Sequence, residues 1–358
     1  MTWLYALIGI SALIVIHEAG HALAAKACGM KVVRFALFFP PIIFRRSWGE
    51  TEFAVGAIPL GGYVRILGQS PEDEIPAHEA ERSYAVKPVW QRAIVIAAGP
   101  AANIVTAIAL ISAILMFDGV SKVVPIVGAA GLTQPAASVF KPGDQIIAVD
   151  GIKGDPDVLV NQTRSHRCAG RPTKGCVAEV PAEITFIRQG QEVRAKVSPR
   201  WDPTAAAMRL GFSFSVKKEP LGPIAAVGKS TLLAWNVSKS SVKGFLAIAT
   251  PEGRKQVSGI VGVSVVTEHA FKQDLVYALE LLAFISLLIA VVNLFPLLPL
   301  DGGHLFWLAV EAVRRKPVSQ ETLGRAVAVG MVLVAGLFLI GLSNDVVRLG
   351  GSGFSTGR

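Results

Sequence analysis

Four stretches of this 358-residue chain are apolar for long enough to cross a bilayer, and this constrains the fold before anything else. A hydrocarbon core about 30 Å thick takes roughly 20 helical residues. Inside it no water satisfies a peptide group, so a spanning segment must be a helix or part of a closed barrel. The stretches run from about Trp3 to Ala25, Ala93 to Phe117, Tyr277 to Leu300 and Ala326 to Leu342. The second carries no charge, and the third is interrupted near its end by Asn293, Pro296 and Pro299. Hydrophobic residues make up 52% of the chain, charged residues 17%, and the mean hydropathy is +0.51, which suits a membrane protein and not a soluble one. The first stretch is not read as a cleaved signal, because no basic residue precedes it and its polar residues are His-Glu-Ala-Gly-His.

Charge then sets orientation. The net charge of +9 sits mostly beside the apolar runs, so the expected partner is the anionic membrane lipid surface and not nucleic acid. Lys26, Lys31, Arg34, Arg45, Arg46, Arg65, Arg82, Lys87 and Arg92 follow the first stretch. Arg314, Arg315, Lys316 and Arg325 separate the third from the fourth. Both connections are expected in the cytoplasm, with the termini and everything between the second and third stretches outside. Residues 122–217 of that outer region read as short strands joined by turns, with Lys141-Pro-Gly-Asp144 and the hairpin Ile184–Val197 as the clearest signals. The segment from Pro223 to Thr250 reads as an amphipathic helix on the outer membrane surface, with a plain connector helix as the alternative. Cys28 reads as a packed thiol. Cys168 and Cys176 have no zinc-site spacing, and both a disulfide and two free thiols remain open.

The chemistry is carried by His17-Glu18-Ala19-Gly20-His21. Positions i and i+4 share one helix face, so both imidazoles can reach one metal ion, and Glu18 beside them can take a proton from its water. Two histidines and a carboxylate are costly in hydrocarbon and mark function there. Zinc with two histidines needs a third protein ligand and an open position. Asp301 is the candidate, because Pro296 and Pro299 break the third stretch just before it and let the chain turn inward. His304 could also ligate, but three ligands suffice. His78, His166 and His269 lie in polar loops and read as surface residues. Ser112 and Ser286 lack the Gly-rich turn and histidine partner of an intramembrane serine protease. Asp144 lies in the outer region, so a pair of intramembrane aspartates is not formed.

These residues resemble the site-2 protease family, within it the regulator-of-sigma-E type. The resemblance rests on HEAGH, on Ile58-Pro-Leu-Gly-Gly-Tyr-Val-Arg65, on Gly99-Pro100-Ala-Ala-Asn103 and on Asn293-Leu-Phe-Pro-Leu-Leu-Pro-Leu-Asp301-Gly-Gly-His304, whose order covers nearly the whole chain. Ser258-Gly-Ile-Val-Gly262 resembles a family segment that normally contains a proline. The resemblance implies a multi-pass α-helical membrane protein of four transmembrane helices with an inserted extracytoplasmic PDZ-like α+β domain. Residues 1–117 would hold helices 1 and 2 with the zinc motif and a loop hairpin. Residues 118–220 would form the PDZ-like domain, although Val139-Phe140 replaces the usual small pair before its Gly-Asp turn. Residues 221–275 would be the amphipathic juxtamembrane segment, and residues 276–358 helices 3 and 4 with the third ligand.

The implied activity is zinc-dependent cleavage within or near the transmembrane segment of single-pass membrane proteins, such as anti-sigma factors or signal peptide remnants, in a bacterial inner membrane. His17, His21 and Asp301 would bind zinc and Glu18 would be the general base. Asn293 would hold the substrate backbone or stabilise the oxyanion. Asn103 would line the site or else pack helices beside Gly99. Gly61 and Gly62 would let the Ile58–Arg65 segment offer a strand edge to an unwound substrate. The outer domain would screen substrates by size or bind a newly exposed terminus. The competing reading is a membrane metal transporter or sensor with the same ligands; no internal repeat supports it.

Overall fold

The computed structural model describes residues 2–70, 73–129, 131–168 and 170–350. Among the described residues four helices are long and apolar enough to span a bilayer: Leu4–Ala27, Val89–Phe117, Leu275–Asn293 and Gln320–Gly350. The chain divides into one compact unit of residues 1–117 with 222–358 and a second of residues 118–221.

The first unit opens with α1 (Thr2–Ala27), followed by two long bent strands, β1 (Val32–Trp48) and β2 (Thr51–Ile66), and then α2 (Val89–Phe117). The strands fold back on themselves. Residues 34–37 of β1 pair with 52–55 on one side and 62–65 on the other, while 44–48 pair again with 51–55. The result is a small curved antiparallel sheet whose last segment, 62–66, lies at an edge. The bend falls at Phe38–Pro41, where proline removes ladder donors. Cys28 is a free thiol that packs with Ala25, Met30, Val32, Ile66 and Val95 where α1, the sheet and α2 meet.

The second unit is an antiparallel sheet with one helix. Its elements are β3 (Val120–Val127), β4 (Gln145–Val149), β5 (Ile152–Lys153), α3 (Pro156–Ser165), β6 (Ala182–Arg188), β7 (Gln191–Val197), β8 (Arg200–Asp202), β9 (Ala207–Arg209) and β10 (Phe214–Glu219). The strand order is β10-β3-β4-β6-β7, with β5 beside β4 and β8–β9 as a separate ribbon. Gln189 and Gly190, both at positive φ, make the two-residue turn between β6 and β7 that matches strand twist. The core gathers Val127, Ile146, Leu159, Ile184, Phe186 and Val197 around Phe140. Phe140 meets Phe186 and Phe212 edge-to-face with centroids 5.2 and 5.3 Å apart, so the bulky residue before the Gly-Asp turn is a core plug here. Cys168 and Cys176 form a disulfide.

The chain returns to the first unit through α4 (Pro223–Ala247), α5 (Pro251–Gln256), α6 (Ile260–Gln273), α7 (Leu275–Asn293), α8 (Asp301–Arg314) and α9 (Gln320–Gly350). The third apolar stretch ends its helix at Asn293, at the interruption expected there, because the prolines that follow cannot continue the hydrogen-bond ladder. One expectation is corrected here. The helix after Pro223 does not lie across an outer surface. It packs lengthwise on α2 and α7, with Ser230 Oγ 2.7 Å from Ser112 Oγ near its start and Phe245 stacked on Phe295, centroids 4.0 Å apart, near its end. Ala226, Ser230 and Ala234, spaced four apart and buried, form the narrow stripe that permits this approach. At the far end of α9, buried Asp345 accepts the backbone amides of Gly259 (3.1 Å) and Gly262 (2.8 Å), which caps α6.

Candidate metal centre

The C-terminal half of α1 presents His17, Glu18 and His21 toward α2 and the start of α8. Helical spacing puts the two imidazoles on one face, and packing fixes their rings. The Nδ1–H of His21 donates to the Val95 carbonyl of α2 at 2.9 Å, which leaves Nε2 as a lone pair facing inward. Gly99, one turn further along α2, lies flat against the same ring; a Cβ there would stand 2.5 Å from Cε1 and 2.8 Å from Cδ2 of His21.

Asp301 enters from the opposite side. The non-helical segment 294–300 turns the chain so that Asp301 opens α8 with its carboxylate beside the imidazoles. Its Oδ2 lies 3.3 Å from His17 Nε2 and 3.3 Å from His21 Nε2, and the two Nε2 atoms are themselves 3.3 Å apart. Oδ2 is buried and satisfied by no hydrogen bond. The three candidate ligand atoms therefore form an equilateral triangle. In a tetrahedral zinc shell with bonds of about 2.0–2.1 Å, ligand atoms lie about 3.3–3.4 Å apart. The triangle has that edge, and its donor set of two imidazoles and one carboxylate suits zinc. Among the described residues this is the one group of three or more His, Cys, Asp or Glu side chains close enough to share an ion.

A cavity of about 310 Å³ opens on the triangle and is also lined by Glu18, Gly62, Asn293 and His304. Glu18 sits beside both histidines, under the edge segment of β2. The backbone amide of Val64 bonds its carboxylate, and Gly62 passes so close that a Cβ would stand 3.0 Å from Glu18 Cγ. Asn293 ends α7 at the cavity wall. Gly61 faces the Phe39 ring and is not part of that wall. Asn103 does not line it either: it is fully buried, its amide nitrogen and oxygen are both without partners, and its carbonyl accepts from Ser286 Oγ at 2.9 Å. The wall from α2 is made by Val95 and Ile96 instead. The Val95 carbonyl has no sequence signature, since any residue type offers it. Gly99 was visible as a glycine in an apolar helix, but its contact with His21 was not.

The sequence profile of peptidase family M50 matches residues 5–337. The chain belongs to peptidase family M50. Similar proteins include metalloprotease MmpA of Caulobacter vibrioides, 30% identical over 95% of this chain and 94% of the relative. The regulator of sigma E protease of Haemophilus influenzae is 29% identical over 96% of this chain and 98% of the relative. A Brucella suis protein with a provisional zinc metalloprotease name is 30% identical over 94% of this chain and 93% of its own length. The M50 peptidase is thus a membrane zinc metalloprotease, and the alternative of a metal transporter loses its ground.

Proposed function

We propose that this M50 peptidase hydrolyses peptide bonds within or near the transmembrane segment of single-pass membrane proteins, with zinc held by His17, His21 and Asp301. The observation that carries the reading is the 3.3 Å triangle of ligand atoms with Glu18 beside it. Zinc bound there supplies Lewis acidity to a water molecule and to a peptide carbonyl. Glu18, fixed by the Val64 amide and by contact with Gly62, takes the proton of the attacking water and passes it to the leaving amine. Asn293, at the rim of the cavity, donates from its amide to the substrate backbone or to the developing oxyanion.

A helical substrate hides its peptide groups in its own hydrogen bonds and must unwind to be cut. The edge segment 62–66 borders the cavity and offers free strand positions to the unwound stretch. Asn103, buried and away from the cavity wall, is assigned to packing between α2 and α7. The basic residues of 26–92 and 314–325 favour a cytoplasmic site in a bacterial inner membrane, with residues 118–220 outside as a PDZ-like domain. The name of the Haemophilus relative and the motif resemblance support anti-sigma factors as substrates, with remnant signal peptides as a second class. Purified Glu18→Gln should retain zinc and lose cleavage of a single-span substrate, and Asp301→Asn should lose both. Cleavage by Glu18→Gln at the wild-type rate would remove Glu18 from the mechanism.

A further inference from the structure

The two imidazoles of the metal centre are not held alike. A histidine that gives Nε2 to a metal carries its proton on Nδ1, and that N–H is ordinarily donated to an oxygen that fixes the ring and its tautomer. His21 meets this need with the Val95 carbonyl, 2.9 Å from its Nδ1. His17 Nδ1 is buried and has no hydrogen-bond partner. A polar group buried in that way is costly, and an acceptor within reach would remove the cost. The other buried side-chain atoms without a partner, among the described residues, are Gln91 Oε1, Asp301 Oδ2 and both amide atoms of Asn103. Asp301 Oδ2 belongs to the ligand triangle, so the choice of acceptor lies between Gln91 and Asn103.

The packing of α1 on α2 decides it. His21 abuts Val95 and Gly99, while Gly20 abuts Ala98 and Ala102, where an added Cβ would stand 3.0 Å from Ala102 Cβ. Numbers fall along α1 as they rise along α2, so the helices run antiparallel. One turn back from His21 is His17, and one turn on from Gly99 is Asn103, which keeps both residues on the faces that meet. Helical side chains tilt toward the N-terminus of their own helix, and in an antiparallel pair this inclines His17 and Asn103 toward each other. Gln91 lies two turns the other way, beyond His21. Asn103 is fully buried, and Ser286 Oγ of α7 donates to its backbone carbonyl at 2.9 Å, which leaves the side-chain amide uncommitted. Packing alone does not call for an amide there, since an apolar side chain fills such a space without that desolvation.

We propose that Asn103 is the positioning residue for His17, its Oδ1 taking the hydrogen bond of the ring Nδ1–H through one bridging water and so holding Nε2 on the metal. The water accepts from Nδ1 and donates to Oδ1, an arrangement nearly as favourable as a direct bond. A side chain thus does for His17 what the Val95 carbonyl does for His21. The role is additional to packing between α2 and α7, and Asn103 touches neither substrate nor metal. Asn103 has it only if His17 is a zinc ligand, as proposed above.

The test is zinc affinity of the full-length protein in detergent, measured by chelator competition, with the visible spectrum of the cobalt(II) form as a second readout. Asn103→Leu should weaken zinc binding about 10- to 100-fold, the usual loss when the outer partner of a ligating histidine is removed, and should shift the cobalt bands. Asn103→Asp, which keeps an oxygen acceptor at the same reach, should recover most of that affinity. In a His17→Ala background Asn103→Leu should change the residual metal affinity by less than about twofold, whereas in a His21→Ala background it should keep its effect. Circular dichroism should show wild-type helix content throughout; should Asn103→Leu lose helix, Asn103→Ala carries the same expectation. Wild-type zinc affinity in a folded Asn103→Leu or Asn103→Ala protein, or an undiminished loss in the His17→Ala background, would overturn the proposal while leaving the metal centre standing. A wild-type protein that binds no zinc would sink the metal centre and the proposal together.

Discussion

Replacing Gly99 by alanine tests whether the position of one imidazole controls the metal. An alanine in mid-helix is ordinarily favourable over glycine by about 1 kcal/mol, so propensity alone predicts a gain for α2. Here the new methyl would stand 2.5 Å from His21 Cε1, where ordinary contact begins at 3.4 Å. His21 Nε2 would be closer still, so the ring must retreat by more than about 0.9 Å, the difference of those two distances, or α2 must withdraw from α1. Retreat is resisted on the other ring nitrogen by the 2.9 Å bond to Val95. Zinc–ligand distances tolerate only about 0.2 Å, so the displaced Nε2 leaves the ligand triangle. Overpacking of this kind costs about 1–3 kcal/mol, which corresponds to a roughly 5- to 150-fold loss in zinc affinity. Zinc competition against a chelator measures the loss, with cleavage of a single-span substrate falling in parallel. Gly228→Ala on α4, where nothing lies within 4 Å of the added carbon, is the matched control and should change neither. A Gly99→Ala protein that binds zinc and cleaves like the wild type would refute the assignment of His21 as a ligand held in place by α2.

Acid should unfold the second unit partly through Asp144, whose carboxyl the bonded Arg188 guanidinium holds below the usual carboxylate range. A depressed pKa stabilises above the unfolded value of about 3.9 and is lost as pH falls through the folded value, so Asp144→Asn should cost about 1.5–3 kcal/mol at neutral pH and flatten the acid limb of a circular-dichroism titration. Arg92 and Glu311 bind through two contacts, 2.6 and 3.1 Å, and join α2 to α8. Either alanine variant should lower the melting temperature in detergent, and the double variant should cost less than the sum, with a coupling of about 0.5–3 kcal/mol. Additive losses would show that the pair is not coupled.

Much of this architecture is visible in the sequence because its signals are local. Apolar length marks the spanning helices, and Gln189-Gly190 marks a hairpin turn that needs positive φ twice. His17, Glu18 and His21 announce themselves by spacing, and Asp301 by the prolines before it. What was not legible depends on which surfaces meet. Composition shows Lys and Ser along α4 but not that Ala226, Ser230 and Ala234 form a stripe matched to Ser112 and its neighbours. Likewise Asn103 is a polar residue in a spanning helix whichever way it points, and only packing shows that its side chain is fully buried without a partner. The bend in β1 and β2, which brings residue 62 over residue 18, arises from pairings that no local pattern encodes.

The triangle of donors has one more consequence, in the charge balance of the membrane interior. With zinc bound, two neutral rings and the carboxylates of Asp301 and Glu18 would sum to two formal negative charges, which the divalent cation would cancel. Uncompensated, such charges cost several kcal/mol each in a low-dielectric surrounding. The ion would then belong to the fabric of the helix bundle as well as to its chemistry: its extraction by a chelator should lower the melting temperature of the Glu18→Gln protein less than that of the wild type.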